Sequence, residues 1–368
     1  MLRTTPKKYL RYLVPGALFG TQRTKQILTS NPITLQRREE PQEVKICVHD
    51  YNAERNKNYS LQQVEESFTC KANGLVSWIN IDGIRKHDVE AMGAHFGIHP
   101  LLIEDILSVG QRPKMDEVDG ILYCLLNMLY FNEECDTVEA EQISVALGPG
   151  FVITFQEDAA RDVFGPLRER LKMATSKLRQ RGADYLCYTM LDLIVDNYFF
   201  VMEKLSDRIE LVEEEVSRNS RTASLPRINH LRKELIVLKR NIAPVRDLIG
   251  AIIRSENDLL EERTIKYFKD VHDHIIQAYD LSENYRDVMV SMQDLYINNV
   301  NLRMNEVMKV LAIVTCLLAP ATVIGGIYGM NFDIIPTLHN KWGFYIAVAL
   351  MFVIPAIMLF FFKKRGWF

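Results

Sequence analysis

The feature that most constrains this chain is a pair of long apolar runs near its C-terminus. Residues 310–362 contain one acidic residue, Asp333, and one basic residue, Lys341, although 25% of the whole chain is charged. A helix needs about 20 predominantly apolar residues to cross a bilayer. Residues 307–327 and 342–362 both reach that length, so we predict two transmembrane helices. The alternative is two buried helices of a soluble protein.

The residues that flank the second run set the predicted orientation. Lys363, Lys364 and Arg365 follow it directly, and a basic cluster beside a span marks the cytoplasmic side. Two spans return the chain to the side from which it came, so we predict a multi-pass protein of the cell inner (plasma) membrane with both termini cytoplasmic. The loop at 328–341 then faces outward and 363–368 forms a basic cytoplasmic tail. The basic N-terminal segment, 1–42, is predicted to be a cytosolic tail, because its apolar stretch is too short for a signal peptide.

A helical pattern without proline or glycine runs from Ser255 to Pro320. Such a helix would be on the order of 100 Å long, so we predict a stalk at 255–306 that continues as the first span. One side of it becomes small and weakly polar inside the membrane, which suits a narrow wet path with apolar constrictions. Close helix packing favours the same residue types, and both explanations stay open. The residues of this side are Asp294, Asn301, Asn305, Met308, Leu311, Thr315, Ala319 and Thr322.

Two spans per chain cannot enclose a water-filled path, so several copies would have to surround it. The large region at 43–254 mixes strand-like and helical patterns, which predicts a cytoplasmic α/β/α domain with paired long helices. The predicted strands are 44–48, 76–81, 121–131, 142–147 and 151–156. The predicted helices are 89–96, 101–106, 166–180, 185–219 and 225–255.

Composition and motifs exclude several classes of function. The net charge of -3 is too small to predict a nucleic-acid partner. The six cysteines form no C-x-x-C pair, which argues against a zinc knuckle. The sequence has no Walker A loop, no G-x-S-x-G and no H-E-x-x-H. We therefore predict that the protein is not an enzyme and does not use ATP.

Between the two apolar runs lies Tyr328-Gly329-Met330-Asn331-Phe332. It resembles the Y-G-M-N-F signature of the CorA family of magnesium transporters. The resemblance implies an α+β membrane protein that forms a homopentameric funnel. The implied function is a channel for potential-driven Mg²⁺ uptake, closed by cytoplasmic Mg²⁺ bound between subunits, with Co²⁺ or Ni²⁺ as further candidate ions. Other matching stretches are 78–81, 96–101, 104–107, 111–114, 267–271 and 304–311.

The resemblance implies that Gly329, Met330 and Asn331 form the selectivity filter at the outer mouth. Mg²⁺ loses its water reluctantly, so a ring of Asn331 amide oxygens and backbone carbonyls would bind the hydrated ion. Two departures from the family pattern matter here. Ala319 stands where relatives often have Met, and Thr337 stands where many have Glu, which leaves the outer loop one acid poorer.

The resemblance also implies a regulatory site for Mg²⁺, at which Asp105 of one subunit and Asp270 of its neighbour share the ion. Glu104, Asp192 and His274 match positions near this site. Two carboxylates brought together repel until a cation bridges them, so the bound ion would favour the closed state. Two alternatives remain: a zinc or other transition-metal transporter of the same fold, and a membrane sensor that conducts nothing.

One predicted long helix is acidic and the next is basic. We interpret them as an antiparallel pair with solvated complementary faces. A second hypothesis is that they sense ions through attraction to a ring formed by Lys363, Lys364 and Arg365. The acids are Glu203, Asp207, Glu210, Glu213, Glu214 and Glu215, and the bases are Arg227, Arg232, Lys233, Lys239, Arg240 and Arg246.

Overall fold

The computed structural model describes residues 41, 43–72, 74–158, 161–219, 224–330, 335 and 340–367. The chain divides into two compact units, Met1–Val212 with Pro226–Val290, and Glu213–Leu225 with Ser291–Phe368. Apart from Pro41, the predicted tail at 1–42 lies outside the described residues. The strands are β1 (Lys45–Tyr51), β2 (Asn56–Leu61), β3 (Val76–Asp82), β4 (Lys114–Val118), β5 (Ile121–Asn132), β6 (Thr137–Gly148) and β7 (Phe151–Gln156). The α-helices are α1 (Lys86–Phe96), α2 (Pro100–Leu107), α3 (Gly165–Lys172), α4 (Ala183–Asn219), α5 (Ser224–Arg254), α6 (Glu262–Tyr328) and α7 (Gly343–Lys364).

A seven-stranded sheet organises the first unit, in the order β2-β1-β3-β7-β6-β5-β4. β3 and β7 are parallel, and the other neighbours are antiparallel. β7 is buried along its whole length and β6 along most of it. Such continuous apolar strands are expected where both faces of a sheet are covered.

Helices cover both faces of this sheet. On one face, Ile81 and Phe155 share a buried apolar cluster with Met92 of α1 and Ile106 of α2. The other face carries α4 and α5, which bond to the strands through polar side chains that the sequence patterns do not reveal. The Tyr198 hydroxyl donates to the Asn127 carbonyl at 2.7 Å, and the Asn127 amide donates to Asn241 at 2.8 Å. The predicted α/β/α architecture is confirmed.

The largest differences between the predicted and the observed elements are two shifted helices and two missed strands. The helix predicted at 166–180 ends at Lys172, and a 3₁₀ helix follows at Lys177–Gln180. β2 and β4 were missed because these short, polar edge strands carry no apolar alternation. α6 begins at Glu262 instead of Ser255. The N–H of Glu261 donates to the buried Asp184 carboxylate at 3.1 Å, which holds the chain just before the helix.

The second unit contains the two apolar helical segments. α6 has 67 residues and α7 has 22, and each has a window long and apolar enough to cross a membrane. Only 6% of each window is buried, so neither is the core helix of a globular unit. Within this unit, Ile313 of α6 and Ala347 of α7 are buried. The long helix and the C-terminal apolar helix of the predicted fold class are therefore present.

Candidate regulatory metal centre and pore residues

Two side chains of α4 and one of α6 form a compact group of metal-binding type. Each of the three offers one ligand atom, and these atoms lie within 4.8 Å of one another. The three residues are Asp192, Asp196 and His274. Asp192 and Asp196 are four residues apart on α4, so both point from the same side of the helix. His274 Nδ1 lies 4.0 Å from Asp196 Oδ1. The structure thus brings together Asp192 and His274, two of the predicted site residues, and adds Asp196.

The electrostatics of this group favour a bound cation. Burial raises the pKa of Asp192, and the negative charges of Asp196 and Asp270 raise it further, while His274 opposes them. The Tyr188 hydroxyl is 3.4 Å from Asp192 Oδ2 and can donate a hydrogen bond to it. A divalent cation would relieve the repulsion among these carboxylates. Carboxylate oxygens suit Mg²⁺, and the imidazole also suits Co²⁺ and Zn²⁺.

Aromatic packing fixes α6 against α4 beside this group. Phe268, two residues before Asp270, is fully buried and packs edge-to-face on Tyr188 with ring centroids 5.8 Å apart. Tyr267 packs on Tyr188 at 5.2 Å and on Tyr185 at 5.3 Å. These contacts set the register in which His274 of α6 reaches Asp196 of α4.

The other predicted metal ligands, Glu104 and Asp105, lie on α2. Asp105 forms an ion pair with Lys114 of β4, with Nζ 2.6 Å from Oδ2, and Lys114 also lies 3.0 Å from Asp116. Among the described residues of one chain, neither α2 carboxylate forms an ion pair or a hydrogen bond with Asp270. The resemblance placed that meeting between neighbouring subunits, so it stays a prediction.

Sequence reasoning missed Asp196 and Lys114. The spacing of Asp196 from Asp192 on a helix was a usable signal. The sequence signal for Lys114 was weaker. Lys114 is the last residue of the matching stretch at 111–114, but only the fold brings β4 beside α2. Burial alone would lower the pKa of Lys114, but its hydrogen bonds to Asp105 and Asp116 raise it.

The predicted pairing of an acidic and a basic helix is only partly right. Lys239 of α5 forms its ion pair with Glu283 of α6, not with an acid of α4. The Arg246 guanidinium lies 4.8 Å from the Tyr279 ring centroid, also on α6. On α4, Arg218 pairs with Glu214 of the same helix. Charge complementarity between α4 and α5 therefore does not organise Lys239 or Arg246.

The predicted filter begins where α6 ends. The N–H of Gly329 donates to the carbonyls of Gly325 at 3.0 Å and Gly326 at 3.2 Å. A Cβ on Gly329 would lie 3.1 Å from the Gly325 carbonyl oxygen, so glycine permits this close approach. Met330 is exposed. Asn331 and the departure at Thr337 lie outside the described residues.

The predicted pore-lining side chains are all exposed in a single chain. Two of them also bond to their own helix: Thr315 donates to the Leu311 carbonyl at 2.9 Å and Thr322 to the Leu318 carbonyl at 3.1 Å. Each hydroxyl oxygen then keeps acceptor capacity for water. The predicted basic ring lies at the end of α7, where Lys363, Lys364 and Arg365 are exposed.

Comparisons with known proteins agree with this fold. Residues 73–364 match the family described as CorA-like Mg²⁺ transporter protein. The chain is 38% identical to the cobalt/magnesium transport protein CorA of Thermotoga maritima over 89% of this chain and 93% of the relative. It resembles the complete structure of the CorA magnesium transporter from Methanocaldococcus jannaschii, with a TM-score of 0.74 and 24% identity over 88% of this chain and 98% of the other. It also resembles the full-length CmaX protein, with a TM-score of 0.67 and 18% identity over 90% and 100%.

Proposed function

The chain belongs to the CorA-like Mg²⁺ transporter family, and from that premise we propose that it is a channel for potential-driven Mg²⁺ uptake. Co²⁺ is a second proposed cargo, because the Thermotoga maritima relative is described as a cobalt/magnesium transport protein. The membrane potential supplies the driving force, about 2.3 kcal/mol per charge per 100 mV, and no ATP is used.

The observation that carries the proposal is the end of α6. The helix passes through a segment apolar enough to span a membrane and ends at Tyr328, directly before Gly329 and Met330. Asn331 comes next in the sequence and α7 follows. This order supports a G-M-N sequence at the outer mouth of the proposed pore.

The chemistry of the proposed pore suits a hydrated ion. Because Mg²⁺ holds its water tightly, a path that accepts hydrogen bonds from that water costs less than one that strips it. The amide of Asn331 and the hydroxyl oxygens of Thr315 and Thr322 offer such acceptors. Met308 and Leu311 are exposed apolar side chains and would form the constrictions.

We propose that five copies surround the path and that each contributes α6 as the inner helix and α7 as the outer one. The boundaries would be a tail at 1–42, a cytoplasmic domain at 43–254 and a stalk at 255–306. Spans at 307–327 and 342–362 and the loop at 328–341 complete the subunit, with both termini cytoplasmic.

We propose that cytoplasmic Mg²⁺ closes the pore by binding between subunits. Asp105 of one subunit and Asp270 of its neighbour would hold the ion, with Glu104, Asp192 and His274 close by. Burial, followed by the negative charges of Asp196 and Asp270, raises the pKa of Asp192, and a cation at this place would offset that cost. Since the bound ion interacts more favourably with the closed arrangement, its loss would favour opening.

Flux into liposomes that contain the purified protein and a magnesium dye tests this function. We expect Mg²⁺ entry when a potassium diffusion potential is applied, and its loss in Asn331→Ala. Thr337→Ala, in the same loop, is the matched control and should keep the flux. Zn²⁺ flux without Mg²⁺ flux would assign the chain to transition-metal transport. No flux of any ion, even in Asp270→Asn, would favour the non-conducting sensor.

A further inference from the structure

A lysine ammonium of the chain itself, that of Lys114, lies beside the proposed regulatory carboxylate, Asp105. The Lys114 ammonium is 2.6 Å from Asp105 Oδ2 and 3.0 Å from Asp116 Oδ2. The Asp105 side chain is only 13% exposed, whereas the Asp116 side chain is 38% exposed. A divalent ion that reaches Asp105 therefore meets a positive charge already in place.

Asp105 is the fixed member of this group. It lies on α2, where its backbone carbonyl accepts a hydrogen bond from Gln142 at 3.1 Å, and the next residue, Ile106, is fully buried. Lys114 is the movable member, since its four-carbon stem carries the charge on rotatable bonds. Asp116 gives the ammonium a second acceptor, so it can leave Asp105 without becoming unpaired.

We propose that Lys114 is a tethered competitor of the regulatory divalent cation. It neutralises Asp105 when no ion is bound, and it shifts to Asp116 when the ion binds. The inference rests on the proposed regulation at Asp105 and adds the residue that sets how much Mg²⁺ is needed. Two cations on one carboxylate repel each other, so the ammonium weakens ion binding for as long as it stays.

The test is a thermal melt of the purified full-length chain in detergent over a series of Mg²⁺ concentrations. The measured quantity is the Mg²⁺ concentration at the midpoint of the rise in melting temperature. Lys114→Met should lower that midpoint about tenfold, which corresponds to about 1.4 kcal/mol. Lys114→Gln should do the same, and Lys114→Arg, which keeps the charge, should stay within about threefold of the wild type.

Two controls separate this inference from simpler explanations. Lys204→Met removes an equally exposed lysine from another ion pair, with Glu133 at 2.9 Å, and should leave the midpoint unchanged. In an Asp105→Asn background, Lys114→Met should have no further effect, because the two residues act through one contact.

Three results would overturn the inference. An unchanged or higher midpoint in both Lys114→Met and Lys114→Gln would show that Lys114 does not compete. If Lys114→Met still lowers the Mg²⁺ midpoint in the Asp105→Asn background, Lys114 acts only through its long-range electrostatic field and does not compete at Asp105. Mg²⁺-dependent stabilisation that is the same in Asp105→Asn as in the wild type would overturn the proposed regulation at Asp105 itself, and with it this inference.

Discussion

At the scale of single residues, Asp192 combines a cost to stability with a proposed function. Its folded-state pKa is raised by burial and by Asp196, so its charged form destabilises the metal-free protein at neutral pH. We predict that Asp192→Asn raises the melting temperature in divalent-free buffer by roughly 2 °C and removes most of the stabilisation by Mg²⁺. Asp280→Asn, an exposed carboxylate of α6, is the control. A lower melting temperature for Asp192→Asn would contradict this account.

Because of His49, we predict that the free energy of unfolding falls in acid. It is buried and stacked on Trp78 at 4.9 Å, and burial followed by the Arg168 charge lowers its pKa to about 4. The unfolded chain takes up this proton near pH 6.5, so the contribution is fully present above that pH and is lost as the pH falls towards 4. The resulting loss in the free energy of unfolding approaches roughly 3 kcal/mol.

Thermal melts between about pH 7 and pH 4.5 check this prediction. His49→Phe, which keeps an aromatic ring on Trp78, should show a shallower decline than the wild type. The exposed His87, changed to Gln, is the control. Parallel curves for the wild type and His49→Phe would contradict the assignment.

Residue-level prediction reached residues that stand inside a motif and missed partners that only the fold supplies. The resemblance placed Asp192 and His274 near the proposed Asp105 and Asp270 site. The structure brings these two side chains together with Asp196, and their nearness to Asp105 stays a prediction. The ion pair between Lys114 and Asp105 joins an edge strand to a helix, and no local periodicity reveals such a contact.

At the scale of elements, the contact of α6 with α4 positions the candidate metal centre. We predict that Phe268→Ala lowers stability by about 3–5 kcal/mol, because it empties a fully buried aromatic position. It should also weaken Mg²⁺-dependent stabilisation, since Asp270 lies two residues away. Thermal melts with and without Mg²⁺ measure both effects, with the exposed Phe200→Ala as the control. Unchanged Mg²⁺ dependence would show that this packing does not position the site.

The end of α6 gives a second prediction at this scale. Gly329→Ala would put a Cβ 3.1 Å from the Gly325 carbonyl oxygen, and strain of about 1–3 kcal/mol would move the start of the proposed filter. We expect Mg²⁺ flux in proteoliposomes to fall. Gly325→Ala, whose Cβ would meet only Met351 at 3.7 Å, is the matched control. Equal flux in the two variants would contradict a filter at this position.

Strong periodicity made most elements predictable. The buried strands and long helices stand out because apolar residues repeat at the period of each element. The edge strands β2 and β4 lack that repeat. The start of α6 depends on Asp184, which lies 77 residues away in sequence.

At the scale of the whole molecule, the near absence of charged residues from 310–362 predicted a membrane protein. The two apolar helices and the family agree with that prediction. The number of subunits does not follow from the structure of one chain. We predict five copies by native mass spectrometry of the detergent-solubilised protein. A dimer or a monomer would contradict the proposed pore, since two spans per chain cannot enclose it.

The central claim is that Mg²⁺ is both the cargo and the signal that closes the path. The most direct measurement records current in inside-out membrane patches while Mg²⁺ is applied to the cytoplasmic face. The account predicts that the wild-type current falls as cytoplasmic Mg²⁺ rises, and that Asp270→Asn needs at least about tenfold more Mg²⁺ for the same fall. A current that ignores cytoplasmic Mg²⁺, or that declines equally in both proteins, would contradict it.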